Sequence, residues 1–297
     1  MYVLISDELI NIYQKTMIKN CTLLLTSYDG GEDLWDGFFT CLTNEWPEFD
    51  LPIVLNTETK KYSFKNLKIT TYGVCKKKSM PWGKRLKENL KLINTDFVLF
   101  FLDDFWLDEK VNNKEFEKVF NFINKNEDVA VVYFYPTPGP NIKDNKLENF
   151  ELRPKKIDYK LTTSAAIWRR EKLLSYIKDF ENAWEWERNG SIRASRYKER
   201  FYSLIEGSNK IISYANVEKG CLVHRGKWNK ETIESFNEKY KLNIDTSIRG
   251  FEDWDKIEKI NKMSINEKIV YYAKHKMLLK KIYSNIVCLI QRLRSIL

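Results

Sequence analysis

The sequence predicts an α/β protein built on an open, Rossmann-like sheet, and three observations predict it. Residues 97–102 are six consecutive large apolar side chains, the pattern of a strand buried on both faces. The run ends abruptly at Asp103 and Asp104, the kind of polar edge where open α/β sheets carry their chemistry. Before and after it, short apolar runs alternate with stretches of helical periodicity, a βαβ rhythm.

Taken in order, residues 22–28 read as a first buried strand, broken by Asp29-Gly30-Gly31. Over 33–46, Leu34, Phe38, Leu42 and Trp46 recur at near-helical spacing and predict a returning helix. Residues 52–56 and 67–71 predict two short strands. After Pro81, a helix over 82–94 puts Leu86, Leu90 and Ile93 on one face and delivers the chain into the 97–102 strand. Lys84 and Arg85 fall in its first turn, where the macrodipole disfavours cations unless an anion is bound nearby; simple solvation is the other reading.

Phe116, Val119, Phe120 and Ile123 mark the next helix and 129–134 the next strand. Residues 136–156, with four prolines, read as a long loop of the kind that is usually functional or mobile. The second half is less regular: a strand or strand-turn over 160–168, a helix over 171–180 and a strand over 211–217. Trp184-Glu185-Trp186-Glu187 alternates indoles with carboxylates, as a site or as a surface pair of glutamates above core tryptophans. His224, Arg225 and Lys227 gather around Gly226.

Two adjacent carboxylates cannot both sit charged in a dry core, so Asp103 or Asp104 must meet a cation or water. A hard divalent metal and an Asp-led turn are the competing readings. Fifty Lys and Arg against forty-one Asp and Glu give +9, which implies an anionic partner. The five cysteines lack C-x-x-C spacing and suit a reducing compartment. Acyl hydrolases, dehydrogenases and P-loop enzymes are disfavoured, because G-x-S-x-G, G-x-G-x-x-G and G-x-x-x-x-G-K-[ST] are all missing. Residues 268–297 hold seven Lys or Arg and no Asp or Glu, with apolar residues at three- and four-residue intervals. That predicts a basic amphipathic helix, lying on an anionic bilayer or packed on protein.

Thr26-Ser27-Tyr28, Trp82-Gly83-Lys84-Arg85, Leu102-Asp103-Asp104, the Trp184–Glu187 stretch with Gly190-Ser191, and His224 to Trp228 together resemble bacterial family-2-like glycosyltransferases of the GT-A fold. The resemblance spans about residues 20–230 and rests on the order of these segments. It implies a nucleotide-sugar donor and Mn²⁺ or Mg²⁺, with Asp104 as metal ligand and Asp103 on the metal or the donor ribose. It further implies Thr26, Ser27 and Tyr28 around the nucleoside, and Arg85 facing the diphosphate or holding the metal-site carboxylates. Glu187, or alternatively Glu185, becomes the base of an inverting transfer, and His224 or Lys227 completes the metal or diphosphate site. The family's usual metal motif is a spaced D-x-D, whereas this chain has adjacent aspartates followed by Phe105.

The expected organisation is a leader over 1–20, a GT-A-like catalytic domain over 21–230 and a C-terminal helical region over 231–297. The expected activity is transfer from a UDP-linked sugar to a lipid-linked or cell-surface polysaccharide acceptor. The expected place is the cytoplasmic membrane face, through residues 268–297, with no nucleic-acid partner. A nucleotidyltransferase using the same carboxylates and a non-enzymatic polyanion binder are the alternatives.

Overall fold

A computed structural model describes residues 20–75, 80–215 and 221–274, together with Ile286 and Leu289. The expected leader and most of the basic tail lie outside these residues. Among the described residues, nine strands form one mixed sheet: β1 (Cys21–Thr26), β2 (Ile53–Asn56), β3 (Ile69–Thr70), β4 (Phe97–Leu102), β5 (Val129–Tyr133), β6 (Ile142–Lys143), β7 (Phe150–Leu152), β8 (Ala166–Arg169) and β9 (Arg200–Leu204). Their order is β3-β2-β1-β4-β8-β5-β9-β7-β6. The α/β expectation holds.

The centre of the sheet follows from the apolar runs. β1 pairs in parallel with both β2 and β4, with Thr26 opposite Leu102, so the C-terminal ends of β1 and β4 finish level. Because β4 and β5 both run antiparallel to β8, they run parallel to each other, and β9 is parallel to β5. The C-terminal ends of β1, β2, β4, β5 and β9 therefore share one edge.

Alternation along β4 splits the core into two layers. Phe97, Leu99 and Phe101 face one cluster with Leu34 and Phe38 of helix α1 (Glu32–Glu45) and Phe116 and Phe120 of a helix over Asn113–Lys125. Val98 and Phe100 face the other, with Leu86 and Leu90 of the helix Trp82–Leu92 and Leu173 and Tyr176 of the helix Arg170–Tyr176. A sheet buried on both faces needs uninterrupted apolar strands, which is the pattern the sequence carries. Ile233 and Phe236, from the helix Lys230–Tyr240, join the first layer.

The second half departs from its expected elements. The stretch read as one loop over 136–156 contains the hairpin β6–β7, which extends the sheet beyond β9. The helix expected over 171–180 ends at Tyr176, because the backbone beyond it is used elsewhere. The carbonyls of Glu181 and Asp179 accept from the N–H groups of Gly83 (2.9 Å) and Lys84 (3.0 Å), supplying the first turn of the helix Trp82–Leu92 with the acceptors a helix start lacks. The described part of the expected strand over 211–217 is irregular. Ile211, Ile212 and Tyr214 are buried as the apolar pattern requires, but they pair with the segment after Asp104, through Ala215 N–H on Trp106 O (2.8 Å) and Asn112 N–H on Ile211 O (2.9 Å). A single antiparallel bridge, Tyr214 to Leu107, stands in place of a ladder, and burial gives the segment the sequence pattern of a strand.

Helix α1 meets the segment behind the two aspartates very closely. A Cβ added at Gly37 would lie 2.0 Å from the Trp106 ring, which is itself fully buried. Gly37→Ala therefore overpacks this contact. The expected cost is about 1–3 kcal/mol, read from urea melts, with the far-ultraviolet circular dichroism spectrum unchanged.

Candidate functional site

The level ends of β1 and β4 bring Ser27 against Asp103. The Ser27 hydroxyl donates to Asp103 Oδ2 at 2.5 Å and accepts from Trp35 Nε1–H at 2.7 Å, while Trp106 Nε1–H donates to the Asp103 carbonyl at 3.1 Å. Ser27 is thus committed to orienting Asp103. A Cβ at Gly31 would sit 2.5 Å from Asp103 Oδ2, so only glycine lets the turn after β1 approach this carboxylate. Asp104 is different: its Oδ1 is buried and has no hydrogen-bond partner. Burial, and for Asp103 the repulsion of Asp104 as well, pushes both carboxyls above their ordinary range. A buried carboxylate oxygen with no donor suits a divalent cation, and Mg²⁺ and Mn²⁺ sites commonly take only one or two carboxylates beside water and phosphate oxygens. The pair therefore fits such an ion. Among the described residues no group of three or more His, Cys, Asp and Glu converges, so His224 does not join Asp103 and Asp104.

The neighbouring strand ends carry a charged network. Asp29, just past β1, accepts from the backbone N–H groups of Glu58 (3.0 Å), Thr59 (3.0 Å) and Lys60 (3.2 Å) and from the Thr59 hydroxyl (2.6 Å). Glu58, just past β2, in turn accepts from the Asp29 N–H and pairs with Arg85. Arg85 Nη2 donates to the Ser27 carbonyl at 2.7 Å. Arg85 is thus held by Glu58 and the Ser27 backbone. Burial on its own raises the Asp29 pKa, but the bonds from Thr59, Lys60 and Glu58 outweigh it and hold the group at about 2.

Thr26 is buried with its hydroxyl oxygen unpartnered, and Tyr28 is 46% exposed at the rim. Arg249 arrives from the far end of the chain. It grips Asp33 with two bonds of 2.6 Å, reaches the Gly30 carbonyl at 3.3 Å and lies over the Trp228 ring at 5.6 Å. Its charge acts on both Asp103 and Asp104, lowering what burial raises.

Glu185 and Glu187 part company. Glu185 Oε2 accepts from Asn182 N–H (3.0 Å) while its own N–H donates to Asn182 Oδ1 (2.9 Å), a reciprocal cap on a short helical turn. Glu187 sits in the π-turn Trp186–Gly190, a helical irregularity frequent at functional sites. Its Oε1 accepts from Thr163 N–H (2.7 Å), Thr163 hydroxyl (2.8 Å) and, more weakly, Thr162 hydroxyl (3.4 Å). The β4–β8 register ends with Phe100 opposite Ala166. Thr162 and Thr163 precede β8, the antiparallel neighbour of β4, so Glu187 is held by the chain that enters β8.

His224 and Lys227 lie on a separate hairpin, β10 (Val223–His224) with β11 (Lys227–Trp228). His224 Nδ1 lies 2.9 Å from Glu252 Oε2 and the ring packs 5.1 Å from Trp254; Lys227 is exposed. Sequence reading passed over Asp29, Glu58 and Arg249. For the first two a signal existed, since each is polar and directly follows a strand ending on the edge where such sheets bind ligands. For Arg249 no local pattern points to Asp33.

No family model and no curated protein matches the sequence. Among solved structures, S. aureus TarS 1-349 is similar at 14% identity with a TM-score of 0.44, over 63% of this chain and 58% of that one. The same fragment in complex with UDP gives 16% and 0.44, over 76% and 66%; in complex with UDP-GlcNAc it gives 13% and 0.40, over 63% and 59%. The match thus spans less than two thirds of each of these TarS chains.

The Asp29 cluster has a pH signature. Its folded pKa of about 2 lies below the ordinary value of 3.8, so its contribution is complete above about pH 4–5 and is lost as the pH falls through 2. Asp29→Asn lacks this contribution. In acid melts the stability gap between the native chain and the variant should shrink by roughly 2 kcal/mol between pH 5 and pH 2.

Proposed function

We propose that the chain is a metal-dependent glycosyltransferase of the GT-A kind that moves a sugar from a nucleotide-sugar donor, UDP-linked, to a glycan or lipid-linked acceptor with inversion. The observation that carries this reading is the unpartnered, buried Oδ1 of Asp104 beside Asp103 at the end of β4. Asp104, with Asp103, would hold Mn²⁺ or Mg²⁺, which when bound neutralises charge on the departing diphosphate.

The chain's own groups take the remaining roles in this reading. Tyr28 offers an exposed ring and Thr26 an unused hydroxyl to the nucleoside, and Ser27 keeps Asp103 in one orientation. The Arg85–Glu58 pair fixes the loop after β2 at the nucleoside end. Glu187 takes the proton from the acceptor hydroxyl as its oxygen forms the new bond to the anomeric carbon and the bond to the diphosphate breaks. Two bonds from Thr163 hold Glu187 for this task, whereas Glu185 is spent on its cap.

The thermal shift of the full chain with UDP and with UDP-GlcNAc, with and without Mn²⁺, tests the site. A ligand at one hundred times its Kd stabilises by about 2.7 kcal/mol, so a metal-dependent shift of several degrees is expected. Asp104→Ala should lose that shift and all transfer while keeping a native circular dichroism spectrum. A shift that persists in Asp104→Ala overturns the assignment. Product analysis separates a glycosyltransferase, which releases nucleoside diphosphate, from a nucleotidyltransferase, which releases pyrophosphate.

Among the described residues no helix is long and apolar enough to cross a membrane. The helix Ile265–Lys274 leaves Ile265 79%, Ile269 48% and Val270 67% exposed, which supports a reading in which this end of the chain lies on an anionic membrane surface at the cytoplasmic face. The full chain should float with anionic liposomes, and a chain ending at Ser264 should not. Equal flotation of both overturns the tail's role.

A further inference from the structure

The sheet edge that carries Asp103 and Asp104 has a second concavity farther along. A cleft of about 360 Å³ opens between the chain leaving β5 and the chain leaving β9, lined by Tyr135, Thr137, Pro138, Glu206, Ser208 and Lys210 among others. That volume falls in the lower part of the ~300–1,000 Å³ range of small-molecule sites. β5 lies two positions from β4 in the sheet, so at ~4.8 Å per strand the cleft begins roughly 10 Å from the aspartates. The intervening edge is aromatic: Phe105, which follows Asp104, stacks on Tyr214 at 4.4 Å, and Tyr214 lies 6.1 Å from Tyr135 in the cleft wall.

The wall is built rather than draped. Ser203 Oγ of β9 accepts from the Thr137 N–H at 3.0 Å and bonds the Thr137 hydroxyl at 2.8 Å. Behind it Arg153, 2% exposed, donates to the Thr137 hydroxyl and to the carbonyls of Pro138 (3.3 Å), Asp158 (3.2 Å) and Tyr159 (2.9 Å). A buried guanidinium directed at backbone carbonyls fixes the two loops it joins. One is the cleft wall. The other runs from Tyr159 into Thr162 and Thr163, which hold Glu187.

The lining selects a chemistry. Glu206 accepts hydrogen bonds, Lys210 donates them, and Ser208 and Tyr135 carry hydroxyls that do either, while the proline and tyrosine faces are apolar. A sugar ring needs this mixture, with hydroxyl groups of both senses around its rim and apolar C–H faces. A phosphate would meet the Glu206 carboxylate. We propose that the cleft is a saccharide subsite that holds a neutral sugar residue of the acceptor glycan, beyond the residue whose hydroxyl Glu187 addresses. The acceptor role rests on the glycosyltransferase reading above; the binding of a neutral saccharide does not.

Saturation-transfer NMR on the full chain tests it, with the methyl glycosides of glucose, galactose, mannose and N-acetylglucosamine, cellobiose, and glycerol 3-phosphate as the anionic counterpart. At least one neutral saccharide should show transfer from the native chain. Ser208→Trp, which fills the cleft, should abolish that signal and keep the native melting temperature and the shift with UDP. Glu206→Gln, which keeps the shape and removes the charge, should weaken it, and this variant decides the matter if Ser208→Trp fails to fold. The proposal is overturned if no neutral saccharide binds, if its signal survives undiminished in the variant that decides, or if glycerol 3-phosphate alone binds. A chain that binds UDP and no saccharide refutes the subsite and leaves the transferase reading intact. One that binds a saccharide in the cleft and no nucleotide retains the subsite and refutes the transferase reading.

Discussion

The bond from the Ser27 hydroxyl to Asp103 is the constraint on which the rest of the site depends. It exists because β1 and β4 finish level in a parallel pair, so the first side chain beyond one strand meets the first carboxylate beyond the other. Trp35 fixes the serine and Trp106 the aspartate backbone, each from within the larger core layer. Packing that stabilises the fold therefore also sets the direction of the carboxylate. The neighbouring Asp104 receives no such partner and is left with a dry oxygen facing no donor.

Charge at this edge is arranged in unequal company. Asp29 is surrounded by donors and stays ionised far into acid, whereas burial pushes Asp103 and Asp104 the other way, Asp103 further raised by Asp104 and only partly offset by the Ser27 hydroxyl. Carboxylates at the ends of adjacent strands thus differ in character because of the number of N–H and O–H groups that face each. The first stabilises the loops; the other two bear the cost of burial. A net charge of +9 does not bear on this distinction, which is local.

Much of the sheet was legible because its central strands are uninterrupted apolar runs and its helices keep a clear period. The hairpin β6–β7 was not, since strands of two and three residues carry no periodicity to read. Residues 211–215 carry the apolar pattern of a strand through burial, with one antiparallel bridge to Leu107 rather than a ladder. Within the site, the aspartates and Glu187 stood out through their neighbours in sequence. Glu185, the alternative to Glu187, lies three residues after Asn182, and the two form an N-x-x-E capping box. Arg249 was out of reach of any local reading, because its partner Asp33 lies 216 residues away.

That last pairing bears on the order in which the molecule comes into being. During synthesis β1, α1 and β4 can assemble once the first half of the chain is available, but the turn at Gly30 and the start of α1 remain unclasped until residue 249 has been made and has folded back. Closing so long a loop is entropically slow and contributes contacts only at the end. The carboxylate edge is therefore framed early and receives its last cationic neighbour late, so a nascent chain holds the sheet well before it holds the finished site.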